Sequence, residues 1–289
     1  MFPQLEIGTD PDLIAKYVQT TEELGYDRLV IFDHVLGADS NRPGGWTGAY
    51  DHRSMFHEPL VLFGYLAAIT TRLKLATAII VLPQRQSALV AKQAAEVDVL
   101  SAGRLILGVG IGWNQVEYEA LGMSFTNRGK RIEEQIAVLR MLWTHEVLDF
   151  KGRWHRIDHA GINPLPVQRP IPIWMGGGWD RQKRRIIEPA VRRIAKIADG
   201  WFTHLPPTED GRAGMDLFRR LVREEGRDPA NVPVEGRLPA AKSGPEDWKR
   251  GIDAFHQMGM TSVELTTMGA GYRSIDEHLD ALRRFRELV

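Results

Sequence analysis

Short apolar runs alternate with amphipathic helical stretches from one end of the chain to the other, and this restricts the fold more than any other feature. Runs of that length, bounded by Gly, Pro and Asp, read as parallel strands buried on both faces, with the helices as crossovers. The opening MFPQLEI reads as the first strand, followed by a helix over 11–25 that Asp10 caps, Pro11 begins and Gly25 ends. DRLVIFDH (27–34), LKLATAIIVLP (73–83) and GRLILGVGIG (103–112) read as the next three strands, with helices over 59–70 and 87–101 between them. IPIWMGGG (171–178), IADGWF (197–202), VPVEGRL (232–238) and TSVELTTMG (261–269) supply four more, with helices near 181–195, 212–226, 246–259 and 275–287. Eight strands with intervening helices predict a (β/α)8 TIM barrel rather than an open sheet. The 289 residues exceed the usual domain of about 100 to 200, but a closed α/β barrel takes about 250 as one unit. Residues 1–289 are therefore expected to form a single domain.

The rhythm is interrupted twice, after strand 2 and after helix 4. Gly37 to Phe56 is rich in Gly, Pro and aromatic residues and leaves from a strand's C-terminal end, where active-site loops of barrels stand, so it reads as a lid. His145 to Gln168 contains VLDFKGRWHRID, two β-like runs around Lys151 and Gly152, and reads as a hairpin before a proline-rich connection.

Composition removes several classes of function. With 37 basic and 37 acidic side chains the formal charge is zero, so no global field draws the chain to nucleic acid or to an anionic membrane. Cysteine is absent, which excludes disulfides, thiolate catalysis and cysteine-ligated zinc and suits a reducing cytoplasm. The first residues lack a basic stretch followed by an apolar run, and no later apolar run is long enough to span a bilayer. A cytoplasmic protein is expected.

Asp33 and His34 end the second strand, which a barrel places at its mouth. A histidine there can exchange a proton near neutral pH, or it can be a structural residue bonded to a backbone carbonyl. Asp51, His52, His57 and Glu58 stand close in sequence, but no two histidines have HxH or HExxH spacing, so no metal site is expected. In GVGIGWN (108–114) the glycines, Gly112 among them, fall at a strand end and turn and let a ligand approach the backbone. The GxGxG spacing differs from a dinucleotide fingerprint. Asn114 with Glu117 reads as a capping box, as does Ser274 with Glu277. Gly176, Gly177 and Gly178 follow the fifth strand and precede a helix, an arrangement whose amides suit a phosphate. Trp46, Tyr50, Phe56 and Trp113 are aromatic candidates for a largely hydrophobic substrate site, although each could equally pack the barrel rim.

Several of these stretches, in this order, resemble the luciferase-like family of flavin and deazaflavin oxidoreductases, in particular its actinobacterial F420-dependent branch. They are LVIFDHVLGA (29–38), the long run from Leu82 to Ile136, PIPIWMGGG (170–178), ADGWF (198–202) and TMGAGY (267–272). The resemblance implies an insertion-bearing barrel, a homodimer, and a mouth that binds the tricyclic ring of reduced coenzyme F420 or of FMN. It implies a non-proline cis peptide behind that ring at Ala78–Ile79, flanked by Thr77. It makes Asp33 a cofactor-orienting group, His34 the proton-transfer residue and Gly176–Gly178 the phosphate cradle, with Gly112 and Asn114 lining the ring pocket. Two departures stand out. Sugar-phosphate dehydrogenases of this family carry an acidic proton donor where this chain has Trp113, and relatives have several first-strand residues before the FPQ at 2–4. The activity implied is hydride transfer between F420 and a small, hydrophobic organic substrate. The alternatives are an FMNH2-dependent monooxygenase and a non-catalytic flavin- or deazaflavin-binding protein.

Overall fold

In a computed structural model that describes residues 1–289, the alternation of strands and helices resolves into two units. One is the continuous stretch Val30–Pro172; the other joins Met1–Leu29 to Ile173–Val289. The chain begins with a turn, not the strand expected of MFPQLEI. Gln4 N–H donates to the Phe2 carbonyl, and Glu6 and Ile7 donate to that of Pro3. Proline has no N–H for a ladder and the amides behind it are spent locally, so the apolar side chains Phe2 and Ile7 are buried from within a turn. Helix α1 (Pro11–Glu23) follows, with the Asp10 side chain accepting from Asp12 N–H and Pro11 in its first turn. Strand β1 (Arg28–Ile31) leads into the continuous unit.

That unit continues with α2 (Pro59–Ile69), β2 (Lys74–Thr77), β3 (Ile80–Val81), a single turn of 3-10 helix over Leu82–Gln84, α3 (Ser87–Leu100) and β4 (Leu105–Gly110). Strands β1, β2 and β4 are hydrogen-bonded in that order, and β3 joins β4. The parallel register pairs Leu75 with Leu105 and Ile80 with Val109. All six residues of β4 are buried, the pattern of a strand covered on both faces. Helices α4 (Gln115–Ala120) and α5 (Arg128–Thr144) precede the antiparallel hairpin β5 (Leu148–Lys151) and β6 (Arg156–Ala160), which matches the hairpin read from the sequence. One arginine closes the C-terminal end of α2. The Arg104 guanidinium donates to the carbonyls of Ala67, Thr70, Leu73 and Ser101, so Ala67 in the last turn of that helix and Thr70 at its cap are satisfied.

The second unit contains β7 (Ile173–Gly176), the short hairpin β8 (Trp179–Asp180) and β9 (Arg185–Ile186), α6 (Glu188–Ile197), β10 (Gly200–Phe202), α7 (Glu209–Glu224), β11 (Val234–Pro239), α8 (Pro245–Gln257), β12 (Ser262–Thr266) and α9 (Ile275–Arg286). Strands β7, β10, β11 and β12 pair in parallel, in chain order. A Cβ on Gly200 would lie 2.3 Å from the Trp174 ring, so the glycine of ADGWF is required by packing across neighbouring strands. Trp201 is fully buried, stacks 4.7 Å from Phe218, and donates its indole N–H to the Gly177 carbonyl. No helix is long and apolar enough to cross a membrane.

Ser274 caps α9 by accepting from Glu277 N–H, while the Glu277 carboxylate reaches past the Ser274 amide to Arg273 N–H, so the box is not closed. On the buried side of α9, His278 bonds the Thr267 hydroxyl at 2.7 Å. Burial pushes its imidazole down to about 4. A folded-state value below that of the unfolded chain means that unfolding takes up a proton in acid. We expect stability to fall as pH drops from about 6.5, the ordinary histidine value, toward 4. Urea midpoints of the wild type and of His278→Asn, compared at the two ends of that window, should show a flatter acid dependence in the variant.

Candidate active site at the end of strand β1

The residues after β1 are organised by two carboxylates. Asp33 is 3% exposed, and its oxygens are taken by the Arg85 guanidinium at 2.8 and 3.3 Å and by Val81 N–H at 3.2 Å. Arg85 also bonds Glu58 at 3.0 Å, and Glu58 caps α2 through Val61 N–H. Burial pushes the Asp33 carboxyl up against the opposing pull of Arg85, so the ionised form depends on this guanidinium. Asp33 thereby fixes the backbone of β3.

The second carboxylate is that of Glu117, 1% exposed in α4. One oxygen accepts from Val35 N–H at 2.6 Å and Leu36 N–H at 3.3 Å; the other lies 3.1 Å from Nδ1 of His34. The capping box expected of Asn114 and Glu117 is therefore only half present. Asn114 caps α4 through Val116 N–H and donates to the Leu36 carbonyl, whereas the Glu117 side chain turns away from the helix start to His34.

Aromatic rings close around His34. Phe56 lies 4.8 Å from it, Tyr50 5.3 Å, Trp113 5.5 Å and Phe32 6.4 Å, centroid to centroid. Trp46 stacks at 5.8 Å on Trp113 and donates its indole N–H to the Tyr50 carbonyl. Of the four aromatic residues singled out from the sequence, Tyr50, Phe56 and Trp113 thus meet around one imidazole and Trp46 backs Trp113. Gly48 makes that approach possible, since a Cβ there would stand 2.2 Å from the Trp46 ring and 2.7 Å from Trp113. The loop is tied at its base, where Ala38 bridges Asp51 and His52 N–H donates to the Ala38 carbonyl. A Cβ on Gly37 would collide with the Asp51 carbonyl at 2.1 Å. Asp51 itself pairs with Arg53, and no group of three or more His, Asp or Glu side chains converges anywhere as a metal site would require.

Beside this cluster, β2 and β3 are separated by a cis peptide at Ala78–Ile79, where the family resemblance implies one. Ala78 N–H donates to the Ile31 carbonyl, and the buried Thr77 hydroxyl donates to the Gly108 carbonyl. Ile79 packs toward Gly110, where a Cβ would come within 2.9 Å of its side chain. Gly112 has φ +61° and its Cβ would meet Val81 at 2.6 Å, so a glycine is required on both grounds.

Three constellations escaped the sequence reading. Gln84, in the turn after β3, is buried with neither side-chain oxygen nor nitrogen bonded within the chain. Ser87, His155 and Glu134 form a relay, with Ser87 Oγ 2.7 Å from Nε2 and Glu134 2.8 Å from Nδ1. This has the distances of a nucleophile triad, but Ser87 is 4% exposed and its oxygen also accepts from Gln135. It works as a latch that holds the β5–β6 turn, because Glu134 accepts from the amides of Arg153, Trp154 and His155 as well. In the other unit, Arg28 faces Glu235 at 3.4 Å and Arg237 faces Glu264 at 3.0 Å, and burial raises Glu235 to about 7. None of these pairs is adjacent in sequence, so no spacing announces them.

Gly176 ends β7 and Gly177 and Gly178 follow it, but the helix expected near 181–195 begins only at Glu188. Asp180 accepts from the amides of Gln182 and Lys183, which makes a turn and folds 179–186 into the β8–β9 hairpin. The glycines therefore do not lead directly into a helix N-terminus. Gly177 and Gly178 have φ of +117° and +90°, and their carbonyls accept from Trp201 and Ile187.

Removing Arg85 would leave Asp33 and part of Glu58 without their counter-charge. Arg85→Met should lower the unfolding free energy by about 3 kcal/mol, read from urea denaturation. Asp33→Asn combined with it should recover part of that loss, since the buried charge is then gone.

The chain matches the luciferase-like monooxygenase family over residues 3–286. An uncharacterised protein of Mycobacterium tuberculosis is 36% identical to it, the match covering 100% of this chain and 98% of the relative. Among solved structures, a monooxygenase of Streptomyces bottropensis superposes with a TM-score of 0.78 at 18% identity, covering 100% of this chain and 96% of that one. An F420-dependent secondary alcohol dehydrogenase, in complex with an F420–acetone adduct, gives 0.76 at 16% identity over 99% and 96%. The alternating strands and helices and the full-length match lead to one assignment: the chain belongs to the luciferase-like monooxygenase family.

Proposed function

We propose that the protein is an F420-dependent oxidoreductase that transfers a hydride between coenzyme F420 and a small, hydrophobic organic substrate, and that residues 1–289 form a single (β/α)8 domain. The observation that carries this reading is His34, held by a buried carboxylate and enclosed by Phe32, Tyr50, Phe56 and Trp113. A proton-exchanging group inside an apolar wall suits a reaction in which the protein positions the reactants and keeps water out.

The residues present fit a tricyclic cofactor. Gln84 offers a buried amide with no partner in the chain, the complement of the polar edge of a flavin or deazaflavin ring. Thr77, Ala78 and Ile79 would back the ring, and Gly112 and Asn114 would line its pocket; Asp33 would act through the β3 backbone it fixes. Gly176–Gly178 would hold the phosphate. The carbonyls of Gly177 and Gly178 are bonded inward, which leaves amides as the groups a phosphate would use. When bound, reduced F420 supplies the hydride at its deazaflavin carbon. His34 then exchanges the accompanying proton with the substrate, while Trp46, Tyr50, Phe56 and Trp113 enclose the substrate's apolar body.

The second reading is an FMNH2-dependent monooxygenase, favoured by 31% identity over 75% of this chain to an FMNH2-dependent dimethylsulfone monooxygenase of Pseudomonas putida, of whose length the match spans 55%. Titrating the purified protein with F420 and with FMN, each followed by fluorescence, separates the two. Binding of F420 in the micromolar range without binding of FMN is expected, and the reverse would establish the monooxygenase. His34→Gln should leave F420 binding within about twofold and lower turnover about a hundredfold or more once a substrate is identified. Normal turnover would remove the proton-transfer role.

We also propose a homodimer, working in the cytoplasm, with α2 in its interface. None of the residues Pro59–Ile69 is charged, and the outer face of α2 presents Val61 at 71% exposure and Tyr65 at 39%. A helix facing water ordinarily has a charged outer face, and an exposed apolar patch marks a contact surface. Val61→Glu with Tyr65→Glu should convert a dimer to a monomer in size-exclusion chromatography with light scattering, with circular dichroism unchanged.

A further inference from the structure

We propose that Glu117 is a positioning residue that locks His34 into the tautomer carrying its proton on Nδ1, so that Nε2 is the ring atom left to exchange a proton. The functional part of this inference rests on the role proposed for His34; the tautomer does not. An ionised carboxylate only accepts hydrogen bonds, so a neutral imidazole whose Nδ1 lies 3.1 Å from Glu117 Oε2 must present an N–H there. Rotation of the carboxylate is blocked, because its other oxygen is held by Val35 N–H at 2.6 Å and Leu36 N–H at 3.3 Å. The backbone of residues 35–36 is in turn tied to the start of α4 by Asn114, which donates to the Leu36 carbonyl. Rotation of the imidazole is hindered as well, since Phe56, Tyr50 and Trp113 all stand within 5.5 Å of its ring, centroid to centroid. Carboxylate, backbone and ring cage therefore specify one tautomer in one orientation, which a proton-exchanging histidine requires.

Glutamine is the informative substitution. It has the shape of glutamate but only one acceptor oxygen, and the two backbone amides of Val35 and Leu36 claim that oxygen. Its NH2 group then faces His34 Nδ1, which has to accept, and the ring proton moves to Nε2.

The test is a long-range 1H–15N correlation spectrum of protein labelled at its nine histidines, without added cofactor, at about pH 8 to 9 so that imidazoles are neutral. The His34 signals are those lost in His34→Gln. The expected result is the Nδ1–H pattern in the wild type and the Nε2–H pattern in Glu117→Gln. An Nε2–H pattern in the wild type, or an Nδ1–H pattern retained in Glu117→Gln, would overturn the proposal. Should Glu117→Gln fail to fold, the wild-type pattern decides alone. The spectrum is recorded without cofactor or substrate, so failure of F420 to bind would sink the proposed function and leave this result untouched.

Discussion

A carboxylate removed from water has to be met by donors, and two such groups govern the region around β1. Glu117 receives two backbone amides and an imidazole; Asp33 receives a guanidinium and the amide of Val81. Each carboxylate gathers chain segments that no apolar packing would align so narrowly. Glu117 aligns the residues after β1 with the start of α4, and Asp33 ties the end of β1 to β3 and, through Arg85 and Glu58, to the first turn of α2. The orientation of His34 and the course of the chain past the Ala78–Ile79 peptide both follow from these two ionic anchors.

Much of the architecture was legible because it rests on local chemistry. The Asp10–Pro11 start of α1, the Ser274 cap of α9 and the hairpin around Lys151 and Gly152 are written in adjacent residues, and the structure places them where the sequence does. In the opening segment the missing N–H of Pro3 prevails over an apolar content that suits a strand. After Gly178 the turn that Asp180 nucleates prevails over a helical pattern in 181–195 and delays α6 to Glu188. In both cases a single backbone hydrogen-bond requirement outweighed side-chain periodicity.

The site was legible by residue type rather than by geometry. His34 and the four aromatic residues stand out as chemistry-bearing side chains near a strand end, and they do converge. Glu117 was disguised, since three residues after Asn114 it had a satisfactory local explanation as half of a capping box. Gln84 and the Asp33–Arg85 pair gave no signal, because a lone glutamine and an arginine 52 residues from its partner have no spacing to read. Their significance lies in burial and pairing, which exist only once the chain has folded.

The bridge between Ala38 and Asp51 separates two kinds of sequence freedom. Outside it, Gly37 has no room for a side chain, and His34 is fixed to α4. Inside it, residues 39–50 begin and end at the same place, so their length and composition can drift without pulling on the strand behind them. Descendants of such a gene could exchange Trp46 and Tyr50, one side of the wall around the imidazole, and with them the molecules admitted there, while inheriting the imidazole's own setting unchanged.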